Sequence, residues 1–427
     1  MFGLNFVILS IMKTVIKNIS KLIQTESKLI KFKAGNEMSK LNTIEDAYIE
    51  IKEGKITDFG SMDNWKGISD WNNTIIIDAE NGMVFPSFCD SHTHLAYPES
   101  RENEFNDRIN GLSYEEIAKN GGGILNSAKK TQEITEEELY EKSLDRLINL
   151  ISLGTGAIEI KSGYGLNTES ELKILKVIKR LKEKSPIPIK STFLGAHALP
   201  KNYKNKKEEY LDLVINEMLP EIDKQGLADY IDIFCEQGYF NTQDTIRLLN
   251  AGKKYGLKGK THVNQFNSIG GVKASIDNGA LSVDHLEITK EEDYLAFENS
   301  ECIATLLPSC SFFLGIPYSP AKEFIKRNIP FNLASDYNPG SSPSGNMNFI
   351  SSLGSIKLQM NAEQVINATT INGAYAMGLE NELGSITIGK KANLFITKPI
   401  PSYQYLHYSF GENLINKIII EGKEFKK

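Results

Sequence analysis

The sequence predicts an α/β chain: a (β/α)8 TIM-like barrel carrying a small β-sandwich domain formed by both termini. Three observations lead there. The middle of the chain alternates short apolar runs with amphipathic helical stretches, the pattern of a parallel sheet with crossover helices. The two ends are rich instead in alternating strands and glycine-punctuated turns. At 427 residues the chain also exceeds the ~250 residues typical of one barrel, which leaves room for a second, smaller unit.

Taken in order, residues 1–11 stand apart. They are apolar but too short to span a bilayer, and lack the basic start and small-residue cleavage site of a secretory signal. Met12 then opens the alternating run Lys13-Thr14-Val15-Ile16-Lys17-Asn18-Ile19, so residues 1–11 read as an upstream-start extension. Residues 12–82 are expected to supply the first part of the sandwich. They include a hairpin around Glu53-Gly54 and a strand at Thr74-Ile75-Ile76-Ile77-Asp78. The barrel is expected over 83–380. Its strands are assigned to Met83–Phe88, Gly156–Lys161, Ile189–Gly195, Tyr230–Cys235, Leu257–His262, Leu281–His285, Cys302–Leu307 and Phe331–Ser335. Helical patterns at Glu136–Leu153, Glu169–Lys184, Lys206–Gln225 and Thr242–Tyr255 separate some of them. Residues 381–427 return to β texture and complete the sandwich. A doubly wound open sheet is the competing topology, but it lacks its glycine-rich phosphate turn here.

Composition narrows the function. A net charge of −6 argues against a nucleic-acid footprint, and no membrane partner is expected. Cys89, Cys235, Cys302 and Cys310 are few and widely spaced, so a reducing, cytoplasmic setting is expected.

The chemistry sits at the strand ends. The first strand runs into His92-Thr93-His94, whose two imidazoles project to one face because residues i and i+2 of a strand do so. His197 follows the third strand, His262 the fifth and His285 the sixth, and Asp336 ends the eighth. Five of the six histidines therefore fall on the rim where barrel active sites lie; His407 is the exception. Any one of them alone is as readily a core histidine bonded to a carbonyl, but their joint placement points to a site. His92, His94, His262 and Asp336 form a ligand set for one divalent or trivalent ion per subunit, zinc or iron, with a position left open for water. A bound metal lowers the pKa of that water to ~7. His285 and Asp336 are the candidates for proton handling. The fourth strand offers Glu236 rather than a lysine, which favours one ion over two, and Lys161 reads as a member of a polar network.

These residues resemble the amidohydrolase superfamily: His-x-His on the first strand, histidines after the fifth and sixth, aspartate after the eighth. Longer stretches resemble the branch that opens an imidazolone ring in histidine degradation. They are Gly121-Gly122-Gly123-Ile124, Lys161-Ser162-Gly163-Tyr164-Gly165-Leu166, Thr192-Phe193-Leu194-Gly195-Ala196-His197, Phe234-Cys235-Glu236, Val283-Asp284-His285-Leu286-Glu287 and Ser335-Asp336-Tyr337-Asn338-Pro339-Gly340-Ser341. The resemblance covers nearly the whole chain from Met12. It implies hydrolysis of the cyclic amide of 4-imidazolone-5-propanoate to N-formimidoyl-L-glutamate, and a homodimer. It further implies substrate binding by Arg101, Tyr164, His197, Gln265, Asn338, Gly340 and Ser341. Arg101 would grip the propanoate carboxylate, and Tyr164, between Gly163 and Gly165, is expected on a tight exposed turn. Some relatives carry a carboxylate where this chain has Gln265. An amide takes up no proton at neutral pH, so a base role cannot transfer, and Gln265 is expected to act by hydrogen bonding. The alternatives are another amidohydrolase acting on a heterocycle, a deaminase or cyclic amidase, and a silent scaffold that retains the barrel. Ammonia release would identify the first, absence of metal the second.

Overall fold

A computed structural model describes the chain except residues 1–11, 113–115 and 117–121; the upstream-extension reading and Gly121 lie outside the described residues. Eight parallel strands run in strict sequence order through one sheet. They are Phe88–Asp90, Thr155–Lys161, Ile189–Ala196, Tyr230–Cys235, Lys258–Val263, Ala280–His285, Ile303–Leu306 and Phe331–Leu333. Helices such as Glu136–Ser152, Thr168–Lys184 and Thr242–Lys253 make the crossovers. Each starts on a side-chain cap: Thr135 and Glu138 form a capping box, as do Asn241 and Asp244, and Asn167 caps the third.

The sheet closes just beyond its last strand. Thr93 bridges Tyr337, the Asp336 amide donates to the His92 carbonyl at 3.0 Å, and the His94 amide donates to the Tyr337 carbonyl at 2.8 Å. Closure thus uses the two segments that carry the His pair and the aspartate, and sets them side by side. Asp90 reinforces the seam by accepting from the Ser335 amide and hydroxyl at 3.0 and 2.6 Å.

The stretch read as one strand, Met83–Phe88, is two. Met83–Pro86 pairs with the terminal sheet, and Phe88–Asp90 begins the barrel. Pro86 has no amide hydrogen to continue a central ladder, and the chain changes sheets at Ser87. The sandwich expected from the termini is realised as one continuous eight-stranded sheet. It joins Lys13–Ile23, Thr43–Lys52, Lys55–Ser61, Thr74–Asp78 and Met83–Pro86 to Leu394–Thr397, Ile415–Ile420 and Lys423–Phe425. Ile16, Ile19, Leu22, Ile49, Val84, Leu394 and Ile419 from both ends of the chain share one buried cluster in it. Burying such side chains stabilises by about 1.5–3 kcal/mol each, so the sheet requires both termini.

Candidate active site

The residues at the carboxyl ends of the strands meet in one cavity. His94, Arg101, Tyr164, His197, His262, Gln265, His285, Asp336, Asn338, Gly340 and Ser341 all line it, and His92 is buried beside them. Every residue singled out in the sequence therefore reaches one place.

At its base, imidazole nitrogens and a carboxylate crowd together. His92 Nε2 lies 3.5 Å and His94 Nε2 3.7 Å from Asp336 Oδ1, and His262 Nε2 is 3.3 Å from His94 Nε2. His92 Nδ1 is taken by Asp284 at 2.7 Å and His262 Nδ1 by Asp232 at 3.1 Å. Those carboxylates require a proton on each Nδ1, which leaves both Nε2 atoms as lone pairs aimed inward. His92 Nε2 indeed has no hydrogen-bond partner, nor does His94 Nδ1. Burial holds all three histidines well below the usual imidazole range, so they stay neutral, as metal ligands must. Converging lone pairs and one carboxylate oxygen fit a divalent cation.

Asp336 is pushed up to about 6, chiefly by burial, with His285 pulling the other way. His285 is the opposite case. Burial lowers it, but Glu287, 3.2 Å from Nδ1, outweighs that and the net shift is upward. Both residues have positive φ, 52° and 90°, a conformation that costs of order 1–3 kcal/mol outside glycine and is retained where the surroundings over-determine it. Asn338 and Ser341 buttress the aspartate, Asn338 donating to its backbone carbonyl at 2.6 Å.

The chain assigned by the matching family model, the amidohydrolase family, runs over residues 83–424. The imidazolonepropionase of Flavobacterium johnsoniae is 56% identical over 412 residues, 96% of this chain and 100% of the relative. That of Christiangramia forsetii is 55% identical with the same coverage. This chain belongs to the imidazolonepropionase branch of the amidohydrolase family. Solved structures of much lower identity share its fold. Escherichia coli guanine deaminase superposes with a TM-score of 0.72 at 14% identity, covering 97% of this chain and 99% of that one. The 5-methylcytosine deaminase of Klebsiella pneumoniae gives 0.72 at 16%, covering 97% and 98%.

In this amidohydrolase the far side of the cavity is cationic. Arg101 is only 9% exposed; Nε donates to Ser127 at 2.9 Å, Glu104 is 4.0 Å away, and among the described residues Nη2 has no hydrogen-bond partner. The guanidinium lies against Gly340, where a Cβ would come within 2.3 Å of Nη1. It also lies 5.6 Å from the Tyr164 ring centroid. Tyr164, expected on an exposed turn, is 3% exposed and packs on His94 and His197. Its turn is held by Glu171, which accepts from the Gly163, Gly165 and Leu166 amides at 3.0, 2.7 and 2.9 Å. His197 Nδ1 meets the Gly163 carbonyl at 3.0 Å, and burial lowers the ring's pKa to about 4. The neutral ring donates from Nδ1 and turns a bare Nε2 to the cavity. Gly163 has φ 106°, and a Cβ there would sit 2.9 Å from His197 Nδ1.

Further residues support the site, and of these Glu159, Asp232 and Lys260 escaped sequence reasoning. Lys161 does join a polar network: Nζ is 2.8 Å from Glu159 and Asp232 and 3.5 Å from Asp284, all fully buried. Lys260 lies 3.1 Å from Glu159. Burial pushes Asp284 up, yet Lys260 and Lys161 outweigh it and keep the carboxylate below its usual range. This charged floor fixes the carboxylates that orient His92 and His262. Its sequence signal was charged residues inside otherwise apolar strands. Glu236 accepts from the Phe266 and Asn267 amides at 2.9 and 3.2 Å, and so positions the loop bearing Gln265.

Proposed function

We propose that the chain hydrolyses the cyclic amide of 4-imidazolone-5-propanoate to N-formimidoyl-L-glutamate, using one divalent ion, zinc or iron, held by His92, His94, His262 and Asp336. The observation that carries this reading is the buried, unpartnered Arg101 Nη2 on the same cavity as the converging imidazoles. A buried cation with an open donor calls for an anionic group, and the propanoate supplies one. The bound ion would acidify water and polarise the ring carbonyl.

The chain's own groups do the rest. Arg101 orients the carboxylate, and Gly340 leaves room for the guanidinium. His197 Nε2 accepts a ring N–H, with Tyr164 packed alongside. Asp336 accepts a proton as water oxygen bonds to the carbonyl carbon. His285 delivers a proton to the ring nitrogen as the C–N bond breaks. Gln265, 3.3 Å from the Cys310 sulfur, holds substrate by its amide without exchanging protons. Asn338 and Ser341 shape the wall around the product.

Loss of ultraviolet absorption of freshly made imidazolonepropanoate, sensitive to chelator and without ammonia release, is the test. Alanine at His262 or Asp336 should lower both bound metal and turnover to background; turnover that survives in metal-stripped variants would overturn the assignment. The family resemblance supports a homodimer, which sedimentation tests. A cytoplasmic setting is supported by four free, buried cysteines. Among the described residues no helix is long and apolar enough to cross a membrane.

A further inference from the structure

One group of metal-binding atoms remains outside the ligand set above. His285, Glu287 and Cys310 each offer a ligand atom, these lie within 4.8 Å of one another, and all three residues are buried. Glu287 is 4% exposed, and while its Oε1 faces His285 Nδ1, its Oε2 has no hydrogen-bond partner. Cys310 is fully buried on the helix Pro308–Leu314, and its sulfur is 3.3 Å from Gln265 Nε2. Gln265 and His285 line the catalytic cavity, so an ion entering there reaches the group directly. Imidazole, carboxylate and thiolate together match zinc's preferences, and the sulfur disfavours magnesium or calcium.

We propose that His285, Glu287 and Cys310 form a second, inhibitory site for zinc or a similarly soft divalent ion. Binding displaces the Cys310 thiol proton to solvent, and likewise the Nδ1 proton of protonated His285, leaving a neutral imidazole. A metal–sulfur and a metal–nitrogen bond form, and the Glu287 carboxylate, released from its contact with Nδ1, completes the ligands. The ion occupies the imidazole to which the proposed mechanism assigns proton delivery, so inhibition rests on that reading, whereas binding does not. The second ion is therefore held more weakly than the first, at a site built from one strand end and one helix.

The test uses enzyme already loaded with one equivalent of metal and titrates it with Cd²⁺, whose thiolate bond absorbs in the ultraviolet. Bound metal is counted by elemental analysis after equilibrium dialysis, beside the absorbance and the turnover. Wild type should take a second equivalent with a thiolate charge-transfer band, and Cys310→Ser should bind at least tenfold more weakly without the band. A stoichiometry that stays at one in wild type, or an unchanged second equivalent and band in Cys310→Ser, overturns the site. A second ion bound through Cys310 that leaves turnover intact keeps the site and refutes both its inhibitory role and the proton-delivery role of His285.

Discussion

Removing the Arg101 guanidinium is the sharpest test of substrate recognition. The side chain is buried, its Nη2 has no hydrogen-bond partner among the described residues, and the Glu104 carboxylate stands 4.0 Å away. A hydrogen bond to a charged group contributes about 1.5–3 kcal/mol, and a guanidinium meets a carboxylate through two. Loss of both, in Arg101→Gln, should cost about 3–5 kcal/mol, which is roughly a hundredfold to several thousandfold in kcat/KM. The propanoate is remote from the bond that breaks and is held equally in ground and transition states, so the loss should fall mainly on KM. Steady-state ultraviolet assays measure it. An imidazolone whose carboxylate is replaced by a carboxamide supplies the second arm. Wild type should lose a comparable factor on that analogue, and the variant little more. An unchanged KM, or variant and analogue losses that simply multiply, would refute the pairing of guanidinium with carboxylate.

Other perturbations reach different parts of the molecule. Gly340→Ala places a methyl 2.3 Å from Arg101 Nη1, the mobile end of a long side chain. KM should rise at least tenfold while the melting temperature hardly changes; a normal KM would mean that the guanidinium is not confined there. Lys161→Met leaves Glu159, Asp232 and Asp284 buried without their shared cation. Breaking such a cluster costs about 3–5 kcal/mol, read as a lower denaturation midpoint together with weaker metal retention. His407, fully buried with a pKa lowered to about 4 by burial, binds its proton more readily unfolded than folded. Stability should therefore be undiminished above pH ~6.5 and fall by up to about 3 kcal/mol as pH drops from 6.5 toward 4. His407→Gln should flatten that part of the pH–melting curve, and an unchanged slope would reject the assignment.

The strand-to-helix alternation and the position of histidines after apolar runs needed only local chemistry, so the barrel and the gathering of these side chains at its rim were legible in the sequence. A period of two tells which residues share a face, and a strand's end tells which of them reach the rim. The break at Pro86-Ser87 was written there too, but an uninterrupted apolar run hid it: hydrophobicity does not say which of two sheets a segment joins. Tyr164 was misjudged for a related reason. Glycines mark a tight turn, but only packing against His94 and His197 decides whether it meets water. Asp232 and Glu171 lay in none of the stretches that carried the resemblance, because a buried charge reveals its role only through its partners, as Asp232 does through Lys161, 71 residues away. By itself the chain determined which donors exist and which face each occupies. The tertiary structure decided which lone pairs stay unsatisfied, because that depends on how the closing seam between the first and last strands sets their distances.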